Sequence, residues 1–201
     1  MELTVAIWSA PDEKPERFVD LTTKQQSLKF STLAMGGFGD ASFIIPVSGW
    51  NAVRWYRSYL GFHVVIFDQL GRRGFGGGIG DAEARADGVN ITCLGYFSHA
   101  KELIHGMIYL AGDNITPTQL IRDTVDIAYN TDKLWQNDYS MIQQLNMPLG
   151  ELDFTGGKKL QDAIDAAVKF GNGALHPRPM YFALWENRRA YFYEEPDVTA
   201  P

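Results

Sequence analysis

Between residues 35 and 101 the sequence is cut by glycine turns into short apolar runs, with one helix-period stretch among them, a pattern that points to a small sheet closed on itself. Runs of strand length, rich in β-branched or aromatic residues, lie at 3–8, 27–34, 41–46, 62–68, 74–85 and 89–96, and Gly36-Gly37-Phe38-Gly39 leads into the third. Within 62–68 both alternating sets are largely apolar (Phe62, Val64 and Ile66 against His63, Val65 and Phe67), so both faces of that strand are expected to be covered. Residues 49–59 place Trp50, Val53 and Tyr56 about one turn apart, with Arg54, Arg57 and Ser58 on the other side, which predicts a helix across or at one end of the barrel. Gly71-Arg72-Arg73-Gly74 and Ala86-Asp87-Gly88 supply the positive φ angles of tight reversals.

Past residue 100 the apolar period changes. Thr116 before Pro117 is an N-cap signal, and Leu120, Ile121, Val125, Ile127 and Ala128 carry a stripe that predicts a helix near 117–130. A short helix is expected at 138–145, stopped by Pro148 and Gly150. Leu160, Ala163, Ile164, Ala167 and Val168 predict a second long helix near 157–170, and 180–195 reads as a hairpin around Glu186-Asn187-Arg188. The fold class is therefore α+β: a small antiparallel β-barrel with one inserted helix in residues 1–103, followed by a smaller α/β domain in 104–201.

Composition narrows the function. The 201 residues are 45% hydrophobic, enough for a core without staples, and the single Cys93 allows no internal disulfide. A net charge of −6 without any Lys/Arg run argues against specific nucleic-acid binding and for protein partners. The start, Met1-Glu2-Leu3-Thr4-Val5-Ala6, lacks the pattern of a signal peptide, and no apolar run approaches a membrane span, so the expectation is a chain made in a cytoplasm and not embedded in a membrane.

Patterns that invite chemistry have plainer readings. Gly74-Phe75-Gly76-Gly77-Gly78-Ile79-Gly80 is neither G-x-G-x-x-G nor a P-loop and precedes no helix, so close backbone approach or a bulge explains it better. His99, Glu102 and His105 would converge only if helical throughout, and Gly106 with the apolar run after it points to a strand instead. Cys93 alternates with Val89 and Ile91 on a strand face, as a small buried hydrophobe does. Asp123 with Asp126, and Asp162 with Asp165, read as solvated helix faces. The sequons at Asn90 and Asn114 carry little weight without an export signal. No catalytic residue, metal ligand or cofactor site is expected. The four rings of Trp50, Trp55, Tyr56 and Tyr59 exceed what one buried helix face needs; they are either a partner interface or packing on the barrel.

The glycine-led strand, Trp55-Tyr56, Leu60-Gly61, Val64-Val65-Ile66-Phe67-Asp68, Leu70-Gly71, Phe75-Gly76-Gly77 and the closing Ile91-Thr92-Cys93-Leu94-Gly95-Tyr96 together resemble the N-terminal barrel of phage tail hub proteins, the baseplate-hub or tail-associated proteins of long-tailed phages. Leu152-Asp153-Phe154, the helix after it, and Trp185-Glu186-Asn187-Arg188-Arg189-Ala190-Tyr191-Phe192 resemble the second part of that family. The resemblance implies a non-enzymatic virion protein of the phage tail. Such hubs are trimers whose paired barrels form a pseudo-sixfold ring between the tail tube or distal tail ring and the central spike or fibre. This chain ends near the hairpin, where such hubs continue into a second barrel, so the ring is expected as a trimer or a hexamer, with DNA passing through an acidic lumen that repels it. The alternatives are a tail-associated peptidase or cell-wall hydrolase, and an adaptor barrel that binds carbohydrate through the Trp50 to Tyr59 aromatics.

Overall fold

Gly36 and Gly37 open one strand and sit where the chain passes between two packing units. In the computed structural model, residues 4–8, 17–20, 28–46, 60–67, 70–85, 88–133, 135–171, 179–185 and 188–194 are described. The first unit comprises Met1–Leu33 and Phe38–Tyr96, and the second Ala34–Gly37 and Phe97–Pro201.

The first unit is a sheet of β1 (Thr4–Trp8), β2 (Arg17–Asp20), β3 (Lys29–Leu33), β4 (Gly36–Ile45, from Phe38 onward), β5 (His63–Phe67), β6 (Arg73–Arg85) and β7 (Gly88–Gly95). Its order is β4-β7-β6-β5-β1-β2 with β3 on β4, and each pair along that path is antiparallel. Among the described residues no pairing joins β2 to β3 or β4, so the path is open there. The register explains the core. Val5 opposes Ile66, Ile7 opposes Val64, Ile79 opposes Cys93, and Ile91 opposes Phe43, so the apolar members of each alternation share one face and are buried. Each such side chain contributes about 1.5–3 kcal/mol of burial. On the other face Ala6 and Val65 are also buried, with Phe67 packed on them, so β5 is covered on both sides as its doubly apolar pattern requires.

The glycine-rich run is strand β6. Its register slips between Ile79 and Asp81, which makes Gly80 the bulged residue. Gly77 lies opposite Gly95, and a Cβ on either would run into backbone, of Leu94 for Gly77 and of Phe38 for Gly95. Strand β2 has no counterpart in the sequence pattern, being only four residues long. The helix expected at 49–59 lies outside the described residues.

The second unit holds β8 (Ile108–Tyr109) paired with β9 (Leu152–Asp153), helix α1 (Pro117–Asp132), helix α2 (Leu160–Gly171), and the antiparallel pair β10 (Met180–Leu184) and β11 (Ala190–Glu194). Strand β10 runs parallel to Gly36 and Gly37, so the fold is α+β with a mixed sheet. A Cβ on Gly37 would strike the Leu184 backbone, and φ values of 99° and 87° at Gly36 and Gly37 lie in the region glycine favours. Helix α1 starts as its cap dictates: Thr116 Oγ1 accepts from the Gln119 N–H at 3.2 Å, with Pro117 in the first turn. Leu120, Ile121 and Val125 of α1, Ala163, Ile164 and Ala167 of α2, and Phe182, Phe192 and Trp135 are fully buried. Trp135 lies 5.7 Å from the Phe182 ring centre.

Residues 138–145 are not helical, which corrects the expectation drawn from their periodicity. Ile142 bridges to Phe192, the Gln143 N–H donates to the Phe192 carbonyl (2.8 Å), and the Phe192 N–H donates to the Met141 carbonyl (3.1 Å). Thr118 Oγ1 donates to the Gln143 carbonyl (2.8 Å) and accepts from the Leu145 N–H (2.6 Å). Those backbone groups are engaged by β11 and α1, so none is left for an i to i−4 ladder.

Candidate functional site

The aromatic residues singled out as a partner interface, Trp50, Trp55, Tyr56 and Tyr59, lie outside the described residues.

In the first unit, all five residues of β3 are exposed, including Phe30 (46%) and Leu33 (51%). Ser31 Oγ accepts from the Asp40 N–H at 3.1 Å, which ties this outer strand to β4. An open depression lies between them, lined by Lys29, Phe30, Ser31, Asp40, Ser42, Asn90 and Thr92. Its polar lining follows from register: Ser42 opposes Thr92 and Ile44 opposes Asn90, on the face away from the buried Phe43 and Ile91. Large apolar side chains left about half exposed on an outer strand suit contact with another molecule.

In the second unit, Ile104, Ile108 and Leu110 are exposed apolar residues, and Met107, whose Sδ accepts from Tyr109 Oη (3.4 Å), lines a shallow depression with Asp123, Asp126, Ile127, Asn130 and Thr131. The two carboxylates there are not a free solvated face, which corrects their reading from spacing alone. Asp123 accepts from Tyr109 Oη (3.0 Å) and Gln119 Nε2 (2.7 Å), and Asp126 accepts from Tyr139 Oη. Burial first, and then the Asp126 hydrogen bond, push the Tyr139 hydroxyl up to about 12. Burial, with Asp123 adding to it, likewise raises the Tyr109 hydroxyl. Both phenols remain donors across the physiological range and act as ties from α1 to the chain around it.

The patterns weighed for chemistry are taken apart by the fold. His99 sits in a 3-10 helix (Tyr96–Lys101) with its Nδ1 3.9 Å from the Glu102 carboxylate, while His105 is buried against Phe154. Among the described residues no group of three His, Cys, Asp or Glu side chains is placed to hold a metal ion. Cys93 is fully buried, and burial raises its thiol well above the usual range, so the thiolate needed of a nucleophile is suppressed. Asp162 accepts from the Lys159 N–H (2.6 Å) at the start of α2, a capping role. Burial, then Asp162, raise the carboxyl of Asp165. The features invisible to spacing are structural ones: Arg188, buried at a φ of 62°, donates from Nη1 to the Lys133 carbonyl (2.8 Å), and Arg189 pairs with Asp138 at 2.8 Å.

No helix among the described residues is long and apolar enough to cross a membrane. No family model and no curated protein matches this sequence. Solved structures do. The 43 kDa tail protein of prophage MuSo2 from Shewanella oneidensis superposes with a TM-score of 0.63 at 11% identity, over 99% of this chain and 57% of that one. The tail protein from Neisseria meningitidis MC58 gives a TM-score of 0.54 at 12% identity, over 100% of this chain and 53% of that one. The chain thus spans a little over half the length of each, and its fold, an antiparallel sheet followed by a mixed α+β unit, is similar to that of these two tail proteins.

Proposed function

We propose that this chain is a structural, non-enzymatic component of a phage tail tip or baseplate hub, located in the virion tail, that oligomerises into a trimeric or hexameric ring and connects the tail tube to the distal tip. The observation that carries this reading is the likeness of the whole chain to two tail proteins, one of them from a prophage, at identities where only fold is retained. The exposed strand β3 and the exposed row from Ile104 to Leu110 support it, because a subunit of a closed ring needs two different surfaces. In this reading residues 1–103 are a barrel domain that forms the ring, 104–201 meet neighbouring tail components such as the distal tail, spike or fibre proteins, and Trp50, Trp55, Tyr56 and Tyr59 lie at a partner interface. The chain's net charge of −6 suits a lumen through which DNA passes without binding.

The test is the mass in solution by light scattering across a concentration series, alone and with the cognate tail-tube protein. A trimer or hexamer, or a ring formed on adding the partner, is the expected result. A monomer indifferent to both overturns the proposal. Trp55→Ala with Tyr56→Ala should abolish ring formation; loss of glycan binding instead would move the chain to the carbohydrate-binding adaptors.

A further inference from the structure

Residues 104–110 form a strap with two unlike sides. Ile104, Ile108 and Leu110 are exposed, whereas His105 and Tyr109 are buried, and the partly exposed Met107 accepts at Sδ from Tyr109 Oη (3.4 Å). Backbone bonds stitch the strap to 154–160: the His105 N–H donates to the Lys158 carbonyl (3.0 Å), the Gly106 N–H to the Phe154 carbonyl (3.2 Å), and the Phe154 N–H to the Met107 carbonyl (2.9 Å).

The His105 ring sits at the centre of that seam. It is 5% exposed, with the Phe154 ring centre at 4.8 Å and that of Tyr109 at 6.0 Å. Neither ring nitrogen has a hydrogen-bond partner among the described residues. A neutral imidazole tolerates such a site, but an imidazolium would bury a charge and two unmet donors. We propose that His105 is a proton-sensitive latch: neutral, it lets the strap lie on 154–160, and on taking up a proton it releases the strap together with the apolar row on its outer side.

The groups around the ring leave the proton without a ready acceptor. From α1, Asp123 is the carboxylate that acts on it, and Tyr109 and Gln119 already engage that carboxylate. From 153–159, Asp153 accepts from Thr155, Lys158 is exposed, and Lys159 Nζ donates to the Glu102 carbonyl. On the strap's own side, Glu102 faces His99. Burial, opposed in part by Asp123, lowers the ring's proton affinity below the ordinary value of 6.5. The released strap returns the ring to that ordinary value, so the open form binds the proton more tightly. The latch is closed above pH ~6.5 and loosens as the pH falls from there toward the ring's own depressed value. One proton shifts the opening equilibrium by at most about tenfold between pH 7.5 and 5.5.

Hydrogen exchange on the full chain, corrected for intrinsic rates, tests this at those two pH values. The amides of His105, Gly106 and Phe154 should lose protection several-fold in acid while α2 amides change little. His105→Phe and His105→Gln, neither of which can take up the proton, should remove that difference. The same acid loss in either variant, or none in the wild type, overturns the proposal. Should neither variant fold, the His105 ring titration by NMR decides: a midpoint clearly below 6.5 supports the latch, and one at or above 6.5 overturns it.

Discussion

In the first unit almost every strand finds its backbone partners in a neighbouring strand and its core in the alternating residues, so that Val5, Val64, Ile66, Phe75, Ile79 and Ile91 land on one buried face by register alone. The second unit buries as fully, yet long stretches of it are neither helix nor strand and are held by single side chains reaching across the sequence. Thr118 ties down Gln143 and Leu145, Arg188 holds the Lys133 carbonyl, Gln143 Oε1 accepts from the Glu194 N–H, and Tyr139 reaches Asp126. A repetitive sheet spreads its stability over many equivalent pairs. An irregular unit concentrates it in a few residues, so single substitutions there should fall harder on one place.

Trp135→Ala gives the largest effect. The indole is fully buried outside any regular element and packs on Phe182, so its removal should cost about 3–5 kcal/mol. Urea unfolding measures the total, and hydrogen exchange locates it: loss concentrated in α1, α2, β10 and β11 is expected, and equal loss at Val64 and Ile91 would break the contrast between the units.

Next comes a pair of neighbours in β6. Gly77→Ala should cost about 1–3 kcal/mol, because its Cβ meets the Leu94 backbone, which cannot yield as a side chain would. Gly78→Ala should cost nothing and gain about 0.4–1 kcal/mol, since among the described residues its Cβ meets only the Phe62 carbonyl, at 3.9 Å. Thermal unfolding of the two variants side by side checks this. Equal destabilisation would mean that the sheet glycines serve as flexibility and not as clearance.

Thr118→Val probes the irregular unit at similar or smaller cost. It keeps the shape, removes the donor to Gln143, and leaves the Leu145 N–H unmet, which should cost about 1–3 kcal/mol in urea unfolding. A cost near zero would show that 141–145 is held by its β11 bonds alone.

The same contrast decides what could be read from the sequence. Residues 89–96 announced their strand because a period of two survives where one face is buried, 62–68 because a continuous apolar run of strand length is what a strand covered on both faces needs, and Thr116-Pro117 announced α1 because capping is a local geometry. Residues 138–145 read as a helix because apolar spacing alone does not know that Phe192 and Thr118, 50 and 20 or more positions away, take the backbone groups a helix would use. The tie between Asp123 and Tyr109 was equally hidden, since it spans 14 residues and two elements. The buried His105 was visible only as part of a would-be ligand triplet, because its apolar neighbours on both sides carry no period that marks which of them turns inward.

The smallest effect on stability belongs to β3, where it most sharpens the functional side of the comparison. All five residues of this strand are exposed, and among the described residues it pairs only with β4, so Phe30 and Leu33, each about half covered, contribute less to the monomer than a core residue does. Phe30→Ser and Leu33→Ser should each change unfolding stability by about 0.5 kcal/mol. If β3 lies in the ring contact, the same two changes should lower the association constant at least tenfold, because an apolar strand with an open edge stabilises an interface through burial and backbone pairing together. Sedimentation velocity of the double variant separates the two quantities. A variant that is stable and still associates fully would place the contact elsewhere, with the row from Ile104 to Leu110 as the next surface to substitute; one that loses several kcal/mol of monomer stability would mean that β3 is part of the first unit's own packing.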